Sequence, residues 1–422
     1  MSTLVNTKDV PRRGTTGAPR LLFLAHRMPF PPDKGDKIRS CRLWRALAAS
    51  YRVTLAFFMD DPADGIHLPR LAEEVEEVIA IPLDPRRAKV RSLLALPTRR
   101  SLSLAYYASR PLRRRLLELR LRREFDAVVA FSSTMAPYAL SVPARRRVLD
   151  LCDLDSAKWA QYAEASRPPI SWIYRTEARR LAAYEADAAR AFDATLLVSA
   201  AEATELRTRA PGARVLVAAN GVDLDYLDPD RFPQTQGDGR TTVFCGAMDY
   251  RSNIDAVLWY HDEILPIVRR QIPDARFRIV GSKPAPEVLL LGRTEGVEVT
   301  GRVDDVRPLL LSASVSVAPL RLGRGVPNKI LEALALSLPV VTTSNGAAGL
   351  SLDAFEGAGV ADTPEAFADA VVARLRAARD GAARFPAHRR ALARLYAWEE
   401  LGRILVEAVG SGSRAGSGSA AS

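Results

Sequence analysis

The chain has 422 residues, more than one hydrophobic core usually serves, so two domains of roughly 150–200 residues each are expected. Its hydrophobic content of 48% is that of a globular chain, and no stretch approaches the ~20 consecutive apolar residues of a spanning helix. The net charge of +11 asks for an acidic partner, which leaves nucleic acid, an anionic membrane surface and a phosphorylated substrate as the classes to separate.

Residues 1–19 are polar and carry Pro11, Gly14, Gly17 and Pro19, the pattern of a disordered lead-in. The first apolar run, Leu21 to Ala25, is too short for a signal-peptide core, so the expected location is the cytoplasm. It opens a series of short β-branched or aromatic runs, LLFLA (21–25), VTLAFF (53–58), VIAI (78–81), AVVAF (127–131), RVLDL (147–151), ATLLV (194–198) and VLVA (215–218). Helical patterns separate them, as in βαβ units of a parallel sheet. Residues 226–240, rich in Pro, Gly and Asp, are the expected linker between a domain over 20–225 and a second over 241–392. That second set of strands is TVFCG (242–246), FRIVG (277–281), VEVTG (297–301), VSVAP (315–319) and PVVTT (339–343). Leu395, Trp398, Leu401, Ile404, Leu405 and Ala408 form an apolar stripe over 393–410, and residues 411–422 are a Gly/Ser-rich tail expected to be disordered.

Arginines crowd residues 86–123, where Glu118 is the one acid against thirteen cations. Leu112, Leu116 and Leu119 fall there at helical spacing with arginines opposite, which fits a basic amphipathic helix on anionic lipid or, equally, a solvated face. The segment lacks the interleaved aromatics of a nucleic-acid surface, so no nucleic-acid partner is expected. Cys41, Cys152 and Cys245 lie far apart and read as small buried hydrophobes, while His67, His261 and His388 are expected at the surface.

The strongest constellation is APLRLGRGVPNKILEALALSLPVVTT, residues 318–343. Gly323 and Gly325 let the backbone approach a phosphate, and Asn328 and Lys329 open a helix whose first N–H groups attract anions. Lys329 and Arg324 can neutralise a diphosphate, and Glu332, three residues past Lys329, can accept from a ribose diol. The plain alternative is a basic loop before an ordinary helix glutamate, and the spacing is not that of a Walker loop.

Here the sequence resembles glycosyltransferase family 4, whose fold is GT-B: α/β, two facing Rossmann-like domains with parallel sheets and a C-terminal crossover helix. Leu331-Glu332-Ala333-Leu334-Ala335 with Pro339-Val340-Val341 matches the family's LEA segment and the PVV that follows. AANGVD (218–223), FCGAMDYRSNIDAV (244–257), VGSKP (280–284) and VTGRVDDV (299–306) resemble further family segments in the right order. Family members often carry two glutamates at the positions of Arg324 and Glu332, so Arg324 removes an acidic group from the expected sugar end. HRMPFPPDKGDKIRS (26–40) with LDLCDLDSAKW (149–159) resembles more closely the sugar transferases associated with exosortase/PEP-CTERM exopolysaccharide systems.

The resemblance implies a retaining, metal-independent hexosyltransferase with no cofactor, moving sugar from a GDP- or UDP-linked donor to a glycan or lipid-linked acceptor. Lys329 and Arg251 would stabilise the departing diphosphate, with Glu332, Asn328, Arg324, Gly325, Gly323, Gly246 and Lys283 at the donor. Gly35, Asp36, Lys37 and His26 would form the acceptor-side loop, and Asp155, with Asp153 beside it, would orient the acceptor hydroxyl. A helix cap is the alternative for either aspartate. Asp153-Leu154-Asp155 and Asp223-Leu224-Asp225 also satisfy Asp-x-Asp, a metal-diphosphate pattern of a different fold, but no metal is expected. A nucleotide-sugar 2-epimerase of the same fold, or a non-catalytic nucleotide-sugar or polyanion-binding protein, remains the competing assignment.

Overall fold

The computed structural model describes residues 17–32, 35–232, 237–323, 325–381 and 384–410. Arg324, the C-terminal tail and all but the last three residues of the expected lead-in lie outside them. The chain forms two compact units, one running to Ala219 and resuming at Glu399, the other spanning Asn220–Trp398.

The first unit holds a seven-stranded sheet in the order β3-β2-β1-β4-β5-β6-β7. In chain order its strands are β1 Arg20–Ala25, β2 Arg52–Met59, β3 Glu77–Pro82, β4 Phe125–Phe131, β5 Ala144–Cys152, β6 Ala194–Leu197 and β7 Val215–Val217. The second unit holds six in the order β10-β9-β8-β11-β12-β13: β8 Thr241–Cys245, β9 Arg276–Val280, β10 Val297–Gly301, β11 Val315–Ala318, β12 Val340–Thr342 and β13 Gly359–Val360. Neighbouring strands pair in parallel throughout both sheets. Helices cover both faces of such a sheet, so its strands are apolar at successive residues rather than at alternate ones. Leu21–Leu24 in β1 and Val128–Ala130 in β4 are accordingly all buried. Every strand expected from the sequence is present, and β13, two residues long, carries no pattern by which to foresee it.

Chain order reverses between β1 and β4 in one sheet and between β8 and β11 in the other. Helices leave such a switch point in opposite directions and open a crevice at the carboxyl ends of the two strands, where ligands of open α/β sheets bind. Below the edge in the first unit lies a fully buried ion pair. Arg39 Nη2 sits 2.9 Å from Asp150 Oδ2, and Nη1 donates to the Ala218 carbonyl at 2.9 Å.

Several expectations need correction. Leu112, Leu116 and Leu119 of helix Arg110–Arg122 are buried in the core of the first unit, so the stripe read as lipid-facing points inward. The exposed apolar side chains of that segment are instead Val90, Leu93 and Leu94 on helix Pro85–Leu94, with Leu117 and Leu121. His388 is buried between Phe355 and Phe385 rather than at the surface, with Nε2 2.5 Å from the Glu356 carbonyl. Cys41 is buried, but Cys152 and Cys245 are partly exposed at the carboxyl ends of β5 and β8; all three are free. The stripe over 393–410 is two helices, Ala387–Leu395 and Trp398–Gly410. Tyr396 and Ala397 break it: the Tyr396 carbonyl accepts from Val222 N at 2.9 Å, and Ala397 bridges Val222. Leu401, Leu405 and Ala408 are buried, and Gly402 packs so closely on Ala46 that an added Cβ would stand 3.2 Å from its methyl group.

Candidate functional site

In the second unit the site is built where β8 and β11 end. Gly246 follows β8, and Gly281, at the end of β9, lies so close that a Cβ there would stand 1.7 Å from the Gly246 carbonyl oxygen. That approach lets Gly246 N donate to the Val280 carbonyl at 2.9 Å and Met248 N to the Ser282 carbonyl at 2.9 Å, pinning one strand-end loop to the next. Gly246 itself has no room for a side chain, since its Cβ would meet Asn253 Nδ2 at 2.7 Å and Lys329 Nζ at 3.0 Å.

Lys329 and Glu332 lie on helix Asn328–Ala335, whose Pro327 cap supplies no side-chain hydrogen bond to the first N–H groups. Uncapped helix starts hold partial positive charge. Ahead of it the loop passes through Gly323 at φ 114° and Gly325 at φ 82°, conformations that L side chains avoid. Lys329 Nζ donates to Asn253 Oδ1 at 2.6 Å and rests 3.8 Å from the centre of the Phe244 ring. Asn253 Nδ2 in turn donates to the Ala247 carbonyl at 2.8 Å. Asn328 Oδ1 accepts from Asn220 Nδ2 at 3.0 Å.

Burial pushes the Lys329 ammonium down to about 7, against the opposing pull of Cys245 and Glu332. Burial likewise raises the Glu332 carboxyl, with Lys329 opposing, and pushes the Cys245 thiol up to about 12. A half-buried ammonium and carboxylate one turn apart, beside an uncapped helix start, can receive an anion at one end and hydroxyl groups at the other. Arg251 begins helix Arg251–Trp259, also without a side-chain cap, and is partly buried near this edge. Lys283 stands just past β9 at φ 54° with its side chain exposed.

In the first unit His26 and Arg27 follow β1, and Asp36 lies in the first turn of helix Gly35–Ala48. His26 Nε2 is 3.3 Å and Arg27 Nη1 3.1 Å from Asp36 Oδ2, while Arg27 Nη2 reaches Asp60 at 3.6 Å. Burial disfavours ionisation of Asp36, yet the His26 hydrogen bond and the Arg27 charge hold its carboxyl below the usual carboxylate range. The His26 ring stacks on Phe131 and meets Tyr107 edge-on, both at 5.7 Å. Lys37 turns away into a buried 2.8 Å ion pair with Asp64.

Asp155 is the first residue of helix Asp155–Glu164 and is ion-paired with Lys158, so it does not cap that helix. Asp153, just past β5, differs. Its Oδ1 is shielded without a partner, and burial, with Glu202 adding, pushes its carboxyl well above the usual range. Sequence patterns single out Lys329, Glu332, His26 and Asp36 but not Asn253, Phe244, Arg27, Asp60 or Tyr107. Phe244 and Asn253 lie in the segment 244–257 and Arg27 in 26–40, but those patterns give them no role, Asp60 and Tyr107 lie in no motif, and only folding brings the five to these edges.

Residues 239–377 match the model of the family described as Glycosyl transferases group 1. No curated protein sequence matches the chain. Among solved structures it is similar to Anabaena Alr3699/HepE in complex with UDP and glucose, at 13% identity over 93% of this chain and 100% of that one, TM-score 0.64. It is also similar to WaaG, a glycosyltransferase involved in lipopolysaccharide biosynthesis, at 16% identity over 92% and 98%, TM-score 0.63. The α,α-trehalose 6-phosphate synthase of Burkholderia multivorans aligns at 14% identity over 93% and 98%, TM-score 0.61. The fold is therefore GT-B, as the sequence resemblance implied.

Proposed function

We propose that the protein is a retaining, metal-independent glycosyltransferase that moves a sugar from a nucleotide-diphosphate donor to an acceptor hydroxyl. The observation that carries this reading is Lys329, held by Asn253 against the Phe244 ring at the β8–β11 edge, with Glu332 one turn away. The family match over this same unit and the UDP bound by the HepE relative support it.

Departure of the nucleoside diphosphate develops negative charge on the bridging oxygen. Lys329, Arg251 and the first N–H groups of helix Asn328–Ala335 stabilise that charge, in a site where low dielectric strengthens each contact. Glu332 accepts from the ribose hydroxyls, and Gly246, Gly323 and Gly325 let the backbone come close to the phosphates. Lys283, exposed just past β9, extends the cationic rim. On the acceptor side His26, held by Asp36, and Asp153 are the groups able to exchange a proton with a hydroxyl.

The acceptor is a glycan or lipid-linked sugar, and the setting is exopolysaccharide or lipid-linked glycan assembly at the cytoplasmic face of a membrane. Among the described residues no helix is long and apolar enough to cross a membrane. Peripheral contact with anionic lipid falls to helix Pro85–Leu94, where Val90, Leu93 and Leu94 are exposed beside Arg86, Arg87 and Lys89.

Lys329→Ala tests the assignment, with an expected loss of about 10²–10³ in turnover at unchanged melting temperature. Near-normal transfer by that variant refutes it. Incubation with UDP- or GDP-sugars alone must leave the sugar unchanged, since conversion of donor without acceptor is the mark of an epimerase.

A further inference from the structure

A cavity in the first unit has the chemistry of an anion site. It encloses about 210 Å³ beside the loop that follows β4, and its walls include Arg100, Arg113, Thr134, Tyr138 and Tyr184. No carboxylate lines it. Among the described residues neither Arg100 nor Arg113 is ion-paired; Arg113 lies 6.0 Å from the centre of the Tyr138 ring. Burial raises the Tyr138 hydroxyl, and the charges of Arg113, Arg91 and Arg100 act on it in the opposite sense, so the field around it is positive.

That hydroxyl is fully engaged, accepting from Ser109 N at 2.7 Å and donating to the Tyr107 carbonyl at 2.6 Å. The Tyr184 hydroxyl differs: it is shielded from solvent and has no hydrogen-bond partner, as does the Ser133 hydroxyl nearby. A shielded hydroxyl without a partner is costly unless a ligand completes it, and Arg100 and Arg113, both solvent-exposed in the cavity wall, can bring positive charge to such a ligand. Helix Arg110–Arg122 also begins here, its positive end adding to the field. Tyr107 connects the cavity to the His26 edge, with its carbonyl held by Tyr138 and its ring against His26.

We propose that this cavity binds a phosphoryl group, through Arg113 and Arg100 with Tyr184 donating, and so anchors a phosphate-bearing acceptor beside the β1–β4 edge. The volume admits a phosphate and part of one sugar rather than a whole nucleotide, which needs a pocket of roughly 300 Å³ or more. Two sources carry this chemistry: the phosphate of a lipid-linked sugar and that of a soluble sugar phosphate. The acceptor role rests on the transfer reaction proposed above; the anion site does not.

Calorimetric titration with inorganic phosphate tests the site in the whole protein. Lys329→Ala protein should still bind it, whereas the Arg100→Ala/Arg113→Ala pair should lose at least tenfold in affinity and Tyr184→Phe about fivefold. Arg114→Ala removes an exposed charge of the same helix that is paired with Glu118 and does not line the cavity, and should bind as the wild type does. Wild-type affinity in the double-arginine variant overturns the proposal, and so does loss of binding confined to Lys329→Ala, which puts the ion at the donor site instead. Vesicles of phosphatidylcholine with phosphatidate separate the sources. Capture that depends on Arg100 and Arg113 assigns a lipid-borne phosphate, and phosphate binding without such capture assigns a soluble one. Phosphate binding of the expected pattern in a protein without transferase activity sinks the transfer reading alone.

Discussion

A lysine poised near neutrality makes donor binding a proton-uptake reaction. Burial lowers the Lys329 ammonium from 10.5 to about 7, so the free protein at neutral pH holds a mixture of charged and neutral lysine. A diphosphate diester beside it stabilises the charged form and draws the proton in. Sugar nucleotides suit the test because their diphosphate is fully ionised across the range, unlike the terminal phosphate of a free nucleotide. With a folded value near 7 the charged fraction falls from about 75% at pH 6.5 to about 3% at pH 8.5, a loss in affinity of about 25-fold or about 2 kcal/mol. Cys245, pushed up to about 12, stays a neutral thiol throughout, and Asn253 does not titrate. Glu332, raised by burial, works in the opposite sense because its ionisation favours the ribose as pH rises; Glu332→Gln should leave the alkaline loss in place. The assay is calorimetric titration with UDP-glucose or GDP-mannose, whichever raises the melting temperature, in two buffers of different ionisation enthalpy. Lys329→Met should bind weakly at both pH values and differ between them by less than about threefold. A flat wild-type profile, or an alkaline loss that survives in Lys329→Met, would refute the assignment.

Two further substitutions probe the scaffold. Gly281→Ala forces a Cβ to within 1.7 Å of the Gly246 carbonyl, a backbone contact that cannot swing aside, so the strand-end loops must part. The expected result is a fall in stability of about 3 kcal/mol or more with loss of donor binding, measured by urea denaturation and calorimetry; wild-type stability contradicts the packing described. Asp150→Ala leaves the fully buried Arg39 charge without its partner and should cost about 3–5 kcal/mol, read as a lower melting temperature. A loss under 1 kcal/mol means that water reaches Arg39.

The strands were legible residue by residue because a parallel sheet covered on both faces demands continuous apolar runs, and LLFLA, AVVAF and VSVAP can hardly be anything else. Lys329 and Glu332 were legible as a pair because helical spacing alone sets them one turn apart. Asn253 was not, since its place beside Lys329 depends on β8 and β11 lying adjacent across 76 residues of chain. Nor could spacing decide which way the leucines of helix Arg110–Arg122 face, because an amphipathic helix presents the same stripe to a core or to a membrane, and the rest of the sheet settles it. Arg39 and Asp150, or Arg100, Arg113 and Tyr184, are ordinary residue types whose meeting no local pattern announces. Local sequence determines periodicity and therefore the elements; the site's electrostatics come from charges that meet only after the chain is folded.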